Sequence, residues 1–163
     1  MSESRTIVTD DEAGTHRAGR LLGELAHADD VIALYGGLGA GKTALVQGVA
    51  EGLGVVGHVP SPTFNLLLVH PGLRTLYHFD LYRLEHPDQL EDIDFYETLE
   101  SGGVSAIEWA DRFAGELPDD RLDVRIVRLD ELRREITPAG TGPRSRGLAR
   151  RWLDAWTREE AGS

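Results

Sequence analysis

The sequence predicts a three-layer α/β protein in which a central, mixed and mostly parallel sheet is flanked by helices. Three observations predict it. VIALY (31–35) and VSAIEW (104–109) are continuous apolar runs of the length expected for strands buried on both faces. The first of them runs straight into a glycine-rich loop and then a helical pattern, so strand, loop and helix follow without a gap. Extended and helical signals alternate along the rest of the chain, as layered α/β folds require.

The elements can be justified in order. RTIVT (5–9) reads as a short edge strand, and from Asp11 the pattern turns helical with Ala18, Leu21, Leu22 and Leu25 on one face. Asp10 or Asp11 serves as its N-cap. After VIALY and the glycine loop, TALVQGVAEGLG forms a second helix ending at Gly52 or Gly54. VPSPTF (59–64), with two prolines, is an extended loop entering the strand NLLLVH, and Pro71-Gly72 turns it back into a hairpin partner, TLYHFDLYRL. Alternation there puts Leu76, His78, Asp80 and Tyr82 on one face. His86-Pro87 opens further helix, in one or two short pieces, since proline suits the first helical position. Gly102-Gly103 leads into VSAIEW, and LDVRIVRL (122–129) is a strand with one exposed face. Residues 1–137 are expected to form a single domain. Residues 138–147, PAGTGPRSRG, are expected to be a flexible connector to a terminal amphipathic helix with Leu148, Trp152 and Trp156 four apart.

Composition narrows the function. The chain has 163 residues, enough for one domain with a sizeable core. It has no cysteine, which excludes disulfides and thiolate metal sites and fits a reducing compartment. No basic-then-apolar leader is visible and no apolar run approaches the ~20 residues of a membrane span, so a cytoplasmic location is expected. A formal charge of −11 repels phosphate backbones, which argues against independent binding to nucleic acid. Of the 17 basic residues Lys42 is the only lysine. It sits where a compact ammonium on a flexible stem suits a β/γ-phosphate.

That position belongs to Gly36-x4-Gly41-Lys42-Thr43, the GxxxxGK[ST] pattern of a P-loop, and the fold expected is therefore P-loop NTPase-like. In such a loop the backbone N–H groups of Gly37, Leu38, Gly39, Ala40 and Gly41 turn inward around phosphate oxygens. The following helix adds its positive end. Lys42 reaches the β/γ-phosphates and the Thr43 hydroxyl is a magnesium ligand. A second carboxylate should stand at a neighbouring strand end. Glu108, closing the apolar run from Val104, fits a magnesium-holding role, and Asp80 either orients the attacking water or holds the metal through water. Asp80 could alternatively form a salt bridge with Arg83 or another arginine. Ser61-Pro62-Thr63 stands where a switch-like loop would sense a γ-phosphate, or is simply a turn. His70, His78 and His86 are spaced by eight, which has no ligand logic, and read as surface or core residues. Guanine recognition by Asn-Lys-x-Asp is impossible with the only lysine already in the loop, so adenine is expected.

GGLGAGKTALVQG, SPTF, YHFDLYRL and IEW ahead of LPDD occur here in the order and spacing of the bacterial TsaE (YjeE) ATPases, which the chain resembles from about Arg5 to Ile126. Residues 138–163 match nothing in that pattern. The resemblance implies a magnesium-dependent ATPase, weak alone and partner-dependent, that binds a TsaD–TsaB transferase pair. That pair forms threonylcarbamoyladenosine on tRNAs reading ANN codons, so tRNA would be met only through the partners. It implies that Lys42 is the loop lysine, that Thr43 and Glu108 hold magnesium, that Asp80 is needed for hydrolysis, and that Ser61 and Thr63 form the switch element. Glu12, Trp109 and Asp111 fall where the family meets nucleotide. A late arginine contact is Arg133 or Arg134, with Arg134 the one assigned. The family often has aspartate at the position of Gly37.

Overall fold

The computed structural model describes residues 5–37, 39–57 and 66–162. Seven strands form one sheet in the order β1-β7-β6-β2-β5-β4-β3. They are β1 (Ile7–Thr9), β2 (Val31–Tyr35), β3 (Leu67–His70), β4 (Leu76–Asp80), β5 (Val104–Glu108), β6 (Leu122–Arg128) and β7 (Arg134–Gly140). The helices are α1 (Glu12–Leu25), α2 (Lys42–Gly52), the short α3 (Gln89–Asp92) and α4 (Phe95–Leu99), and α5 (Pro143–Ala161), with a 3₁₀ segment at Ala110–Glu116. β2, β5, β4 and β6 pair in parallel along the middle, while the β3–β4, β6–β7 and β1–β7 pairs are antiparallel. The sheet is thus evenly mixed rather than mostly parallel. The two hairpins, β3–β4 and β6–β7, and the pairing of β1 on β7 supply the antiparallel share.

Each face of the sheet carries a core. Ile32, Leu34, Leu76, Ala106, Val124 and Ile136 pack under α1, α2 and α5. Ala33, Phe79, Ile107, Leu90, Phe95 and Phe113 form the core under α3, α4 and the 3₁₀ segment. β2 and β5 send alternate residues into both cores, which is why their sequences read as unbroken apolar runs.

Asp11 caps α1 by accepting the Gly14 N–H at 2.8 Å. α1 then lies against α2 at backbone contact distance. A Cβ on Gly19 would come within 2.1 Å of the Leu45 carbonyl oxygen, and one on Gly48 within 2.0 Å of the His16 carbonyl oxygen. Gly23 and Gly52 repeat the arrangement one turn on, so glycines spaced by four on both helices form a flush seam.

The C-terminal region departs from expectation. The segment read as a flexible connector contains the end of β7, and Gly142 and Pro143 open α5 directly. β7 pairs with β6 from Arg134 to Gly140, whereas β1 covers it only from Arg134 to Ile136. Pro138 therefore lies beyond the end of β1, on a free edge that tolerates a residue without an N–H. α5 is capped by the Asp120 carboxylate, which accepts the N–H groups of Arg144 and Ser145 at 2.9 and 3.0 Å. Its Leu148, Trp152 and Trp156 are buried in the α1–α2 core, and the Trp152 indole N–H donates to the Ala18 carbonyl at 2.8 Å.

Candidate functional site

The parallel strands deliver their carboxyl ends to one place. Leu34 of β2 is in register with Glu108 of β5, and Glu108 with Asp80 of β4, so two acids stand side by side next to the loop that leaves β2. Crevices at the carboxyl ends of such strands are where open α/β sheets hold ligands. Here the crevice is a cleft of about 750 Å³.

The glycine loop forms one wall. Gly39 and Gly41 have φ of +76° and +107°, conformations that side chains resist. Gly41 is the N-cap of α2 and offers no side-chain cap to the first N–H groups of that helix, whose first residues, Lys42, Thr43 and Ala44, line the cleft. Arg134 braces the loop: its Nη2 donates to the Gly39 carbonyl at 3.2 Å, and its Nη1 to the Asp130 carbonyl at 2.8 Å. Arg133, the alternative assignment, turns outward to the Asp130 carboxylate at 2.7 Å.

Lys42 is 8% exposed, with its Nζ 3.9 Å from Glu108 Oε1 and 4.8 Å from the centroid of the Trp109 ring. Glu108 is buried, and its other oxygen, Oε2, lies 2.7 Å from His78 Nε2. Asp80 is half-buried and accepts the Tyr82 N–H at 3.0 Å. Burial pushes its carboxyl above the usual aspartate range, and neighbouring Glu108 adds to this against the opposing Tyr82 N–H, His78 and Lys42. Trp109 adopts a left-handed backbone (φ +61°), a strain of about 1–2 kcal/mol for a residue with a Cβ, which turns its ring toward Lys42. Tyr82 packs on that ring at 4.9 Å between centroids, and Arg112 donates to the Tyr82 carbonyl.

The residues expected to act together largely converge. Glu12, Gly39, Ala40, Gly41, Lys42, Thr43, Asp80, Glu108, Trp109 and Arg134 all line the cleft. Asp111 does not. It lines a neighbouring recess of about 380 Å³ with Gly36, Gly37 and Arg125, which meets the cleft only across Lys42 and Trp109. Leu38, Ser61 and Thr63 lie outside the described residues. His78 is buried, as the core alternative for the histidines allowed, but sequence reasoning did not foresee its contact with Glu108, although the alternation had set it on the face of Asp80. That reasoning also missed Thr15 and Leu132, which line the cleft. Thr15 lay one turn beyond the α1 cap, a position that could have been noticed, whereas nothing local marks Leu132.

The pattern suits a triphosphate bound with magnesium. An uncapped helix start and one lysine border the space, and Cβ atoms built on Gly37 and Gly39 would meet nothing within 4 Å. Among the described residues no group of three or more His, Asp or Glu converges as a protein-only metal cage. One or two carboxylates beside a phosphate site are the donor set by which magnesium is held together with substrate phosphates.

The family model described as "Threonylcarbamoyl adenosine biosynthesis protein TsaE" matches residues 9–136. A TsaE protein of Treponema pallidum is 43% identical over 77% of this chain and 93% of its own length. The TsaE protein of Bacillus subtilis is 40% identical over 80% of this chain and 82% of its own. The crystal structure of Bacillus subtilis YdiB superposes with a TM-score of 0.78 at 31% identity, covering 98% of each chain. With the model spanning most of the chain and the fold shared, the protein belongs to the TsaE family, whose members are proteins of tRNA threonylcarbamoyladenosine biosynthesis.

Proposed function

We propose that the cleft is a P-loop site for Mg-ATP and that its hydrolysis sustains turnover of a TsaB–TsaD transferase during threonylcarbamoyladenosine formation. This reading rests on one observation above all: Lys42, Glu108 and Asp80 meet at an uncapped helix start beside a glycine loop. The loop N–H groups and the α2 N-terminus receive the phosphates. Lys42 exchanges its position near Glu108 and Trp109 for the β/γ-phosphate oxygens. Thr43 and Glu108 would hold magnesium, which would supply positive charge to offset that of the phosphate oxygens. Asp80 accepts a hydrogen bond from the attacking water and takes its proton as the water oxygen bonds to the γ-phosphorus and the bridge to the β-phosphate breaks, giving ADP and phosphate. Trp109 and Tyr82 shield this end from bulk water. Glu12 and Arg134 border the nucleoside end, and Thr63 would act as the γ-phosphate sensor. Asp111 is assigned to nucleotide only at the margin, from its recess.

In this reading the protein forms one domain through the end of α5, works in the cytoplasm, and meets tRNA only through its partners, consistent with its charge of −11. The test is phosphate release from ATP by the chain alone and with TsaB and TsaD. Slow hydrolysis alone, stimulation by the pair, and its loss in Lys42→Ala are expected. Hydrolysis unchanged in Lys42→Ala would refute the reading, and phosphate transfer to a small metabolite without partners would favour a kinase.

A further inference from the structure

His78 is 1% exposed in the middle of β4, on the α2-facing side of the sheet with Leu76 and Ala106. It is in register with Ala106, so Glu108 is its diagonal neighbour on the next strand, a separation long side chains span. The two meet at 2.7 Å. A carboxylate as deeply buried as Glu108 needs a constant partner. Lys42 cannot be that partner, because at 3.9 Å it is only loosely paired and it is the group that must swing to a phosphate. Glu108 can only accept, so the bond fixes the proton of His78 on Nε2. The other ring nitrogen, Nδ1, is buried without a partner among the described residues, a cost that an aliphatic residue would avoid.

We propose that His78 is a positioning residue: by donating from Nε2 to Glu108 Oε2 it aims Oε1, the oxygen facing Lys42, into the cleft toward nucleotide-bound magnesium. The proposal rests on the magnesium–nucleotide reading of the cleft. It makes His78 an outer partner of the metal site, of the kind that orients a ligand and sharpens its affinity. While Lys42 is engaged with phosphate, this bond is what keeps the Glu108 carboxylate from rotating away.

The experiment is calorimetric titration of ATP or ADP into the full chain, with magnesium and with EDTA. His78→Phe should leave the affinity in EDTA unchanged and cut the magnesium enhancement about 10- to 100-fold. His78→Gln, whose amide nitrogen reaches Glu108, should restore most of it. If His78→Phe does not fold, His78→Asn takes its place, with an amide too short to reach. Long-range ¹H–¹⁵N spectra of the nucleotide-free protein should show the His78 proton on Nε2. Full magnesium enhancement in the variant lacking the donor, equal losses with and without magnesium, or a proton on Nδ1 would overturn the proposal. A wild-type affinity indifferent to magnesium would instead refute the reading of the cleft, and this proposal with it.

Discussion

Asp80 shows how one side chain can combine a structural and a chemical task. Its Oδ1 is tied to the Tyr82 N–H, which ends β4 and starts the turn carrying Tyr82 onto Trp109. Its carboxyl is made more basic by burial, which favours accepting a hydrogen bond from water. Asp80→Asn should therefore keep nucleotide affinity within a few-fold and lower partner-stimulated hydrolysis about 10²-fold or more, the usual worth of a general base. Parallel titration and phosphate-release measurements check it; equal losses in both would assign Asp80 to binding. At this scale the sequence was legible where a motif imposes geometry, as at Lys42 and Thr43, or where an acid ends an apolar run, as at Glu108. Arg134 could not be separated from Arg133 by motif. In the structure strand parity distinguishes them: Arg134 shares its face of β7 with buried Ile136, while Arg133 pairs with the Asp130 carboxylate. His78 stayed hidden because its partner lies on another strand, and cross-strand partners are invisible without the register.

The element that matters most to the cleft is α2, since its first turn forms part of the binding wall and its body is locked to α1. Gly19, Gly23, Gly48 and Gly52 set that lock, and their spacing of four on both helices was in plain view as sequence. It went unread because glycine inside a helix signals weakness until a second helix is known to press on it. Gly48→Ala would drive a methyl group into the His16 carbonyl. The expected cost is about 1–3 kcal/mol of stability, read as a lower denaturant midpoint, together with weaker nucleotide binding from displacement of the α2 start. A variant as stable as the parent would show that the seam yields. β7 escaped sequence reasoning for a different reason. Pro138 and two nearby glycines mimic a linker, and only the shortness of β1 makes a proline acceptable there.

On the scale of the whole molecule, α5 is part of the core rather than an appendage. Trp152 and Trp156 close the α1–α2 layer, and Arg17 and Arg20 pair across it with Glu159 at 3.4 and 3.0 Å. Losing one such tryptophan costs about 3–5 kcal/mol, against a total stability of about 5–15 kcal/mol for a domain of this kind. A chain ending at residue 141 should therefore fail to fold cooperatively, which circular dichroism melting checks; a sharp transition near that of the full chain would restore the view of α5 as a tail. No helix among the described residues is long and apolar enough to cross a membrane. The account as a whole turns on the cleft holding a magnesium-bound nucleotide, and a crystal structure with magnesium and a non-hydrolysable ATP analogue tests that most directly. The β- and γ-phosphates should lie within hydrogen-bonding distance of Lys42 Nζ and the loop N–H groups, with Thr43 and Glu108 turned to the metal and His78 still on Glu108 Oε2. Phosphates seated anywhere else, or a Lys42 still packed on Trp109 beside a bound analogue, would contradict it.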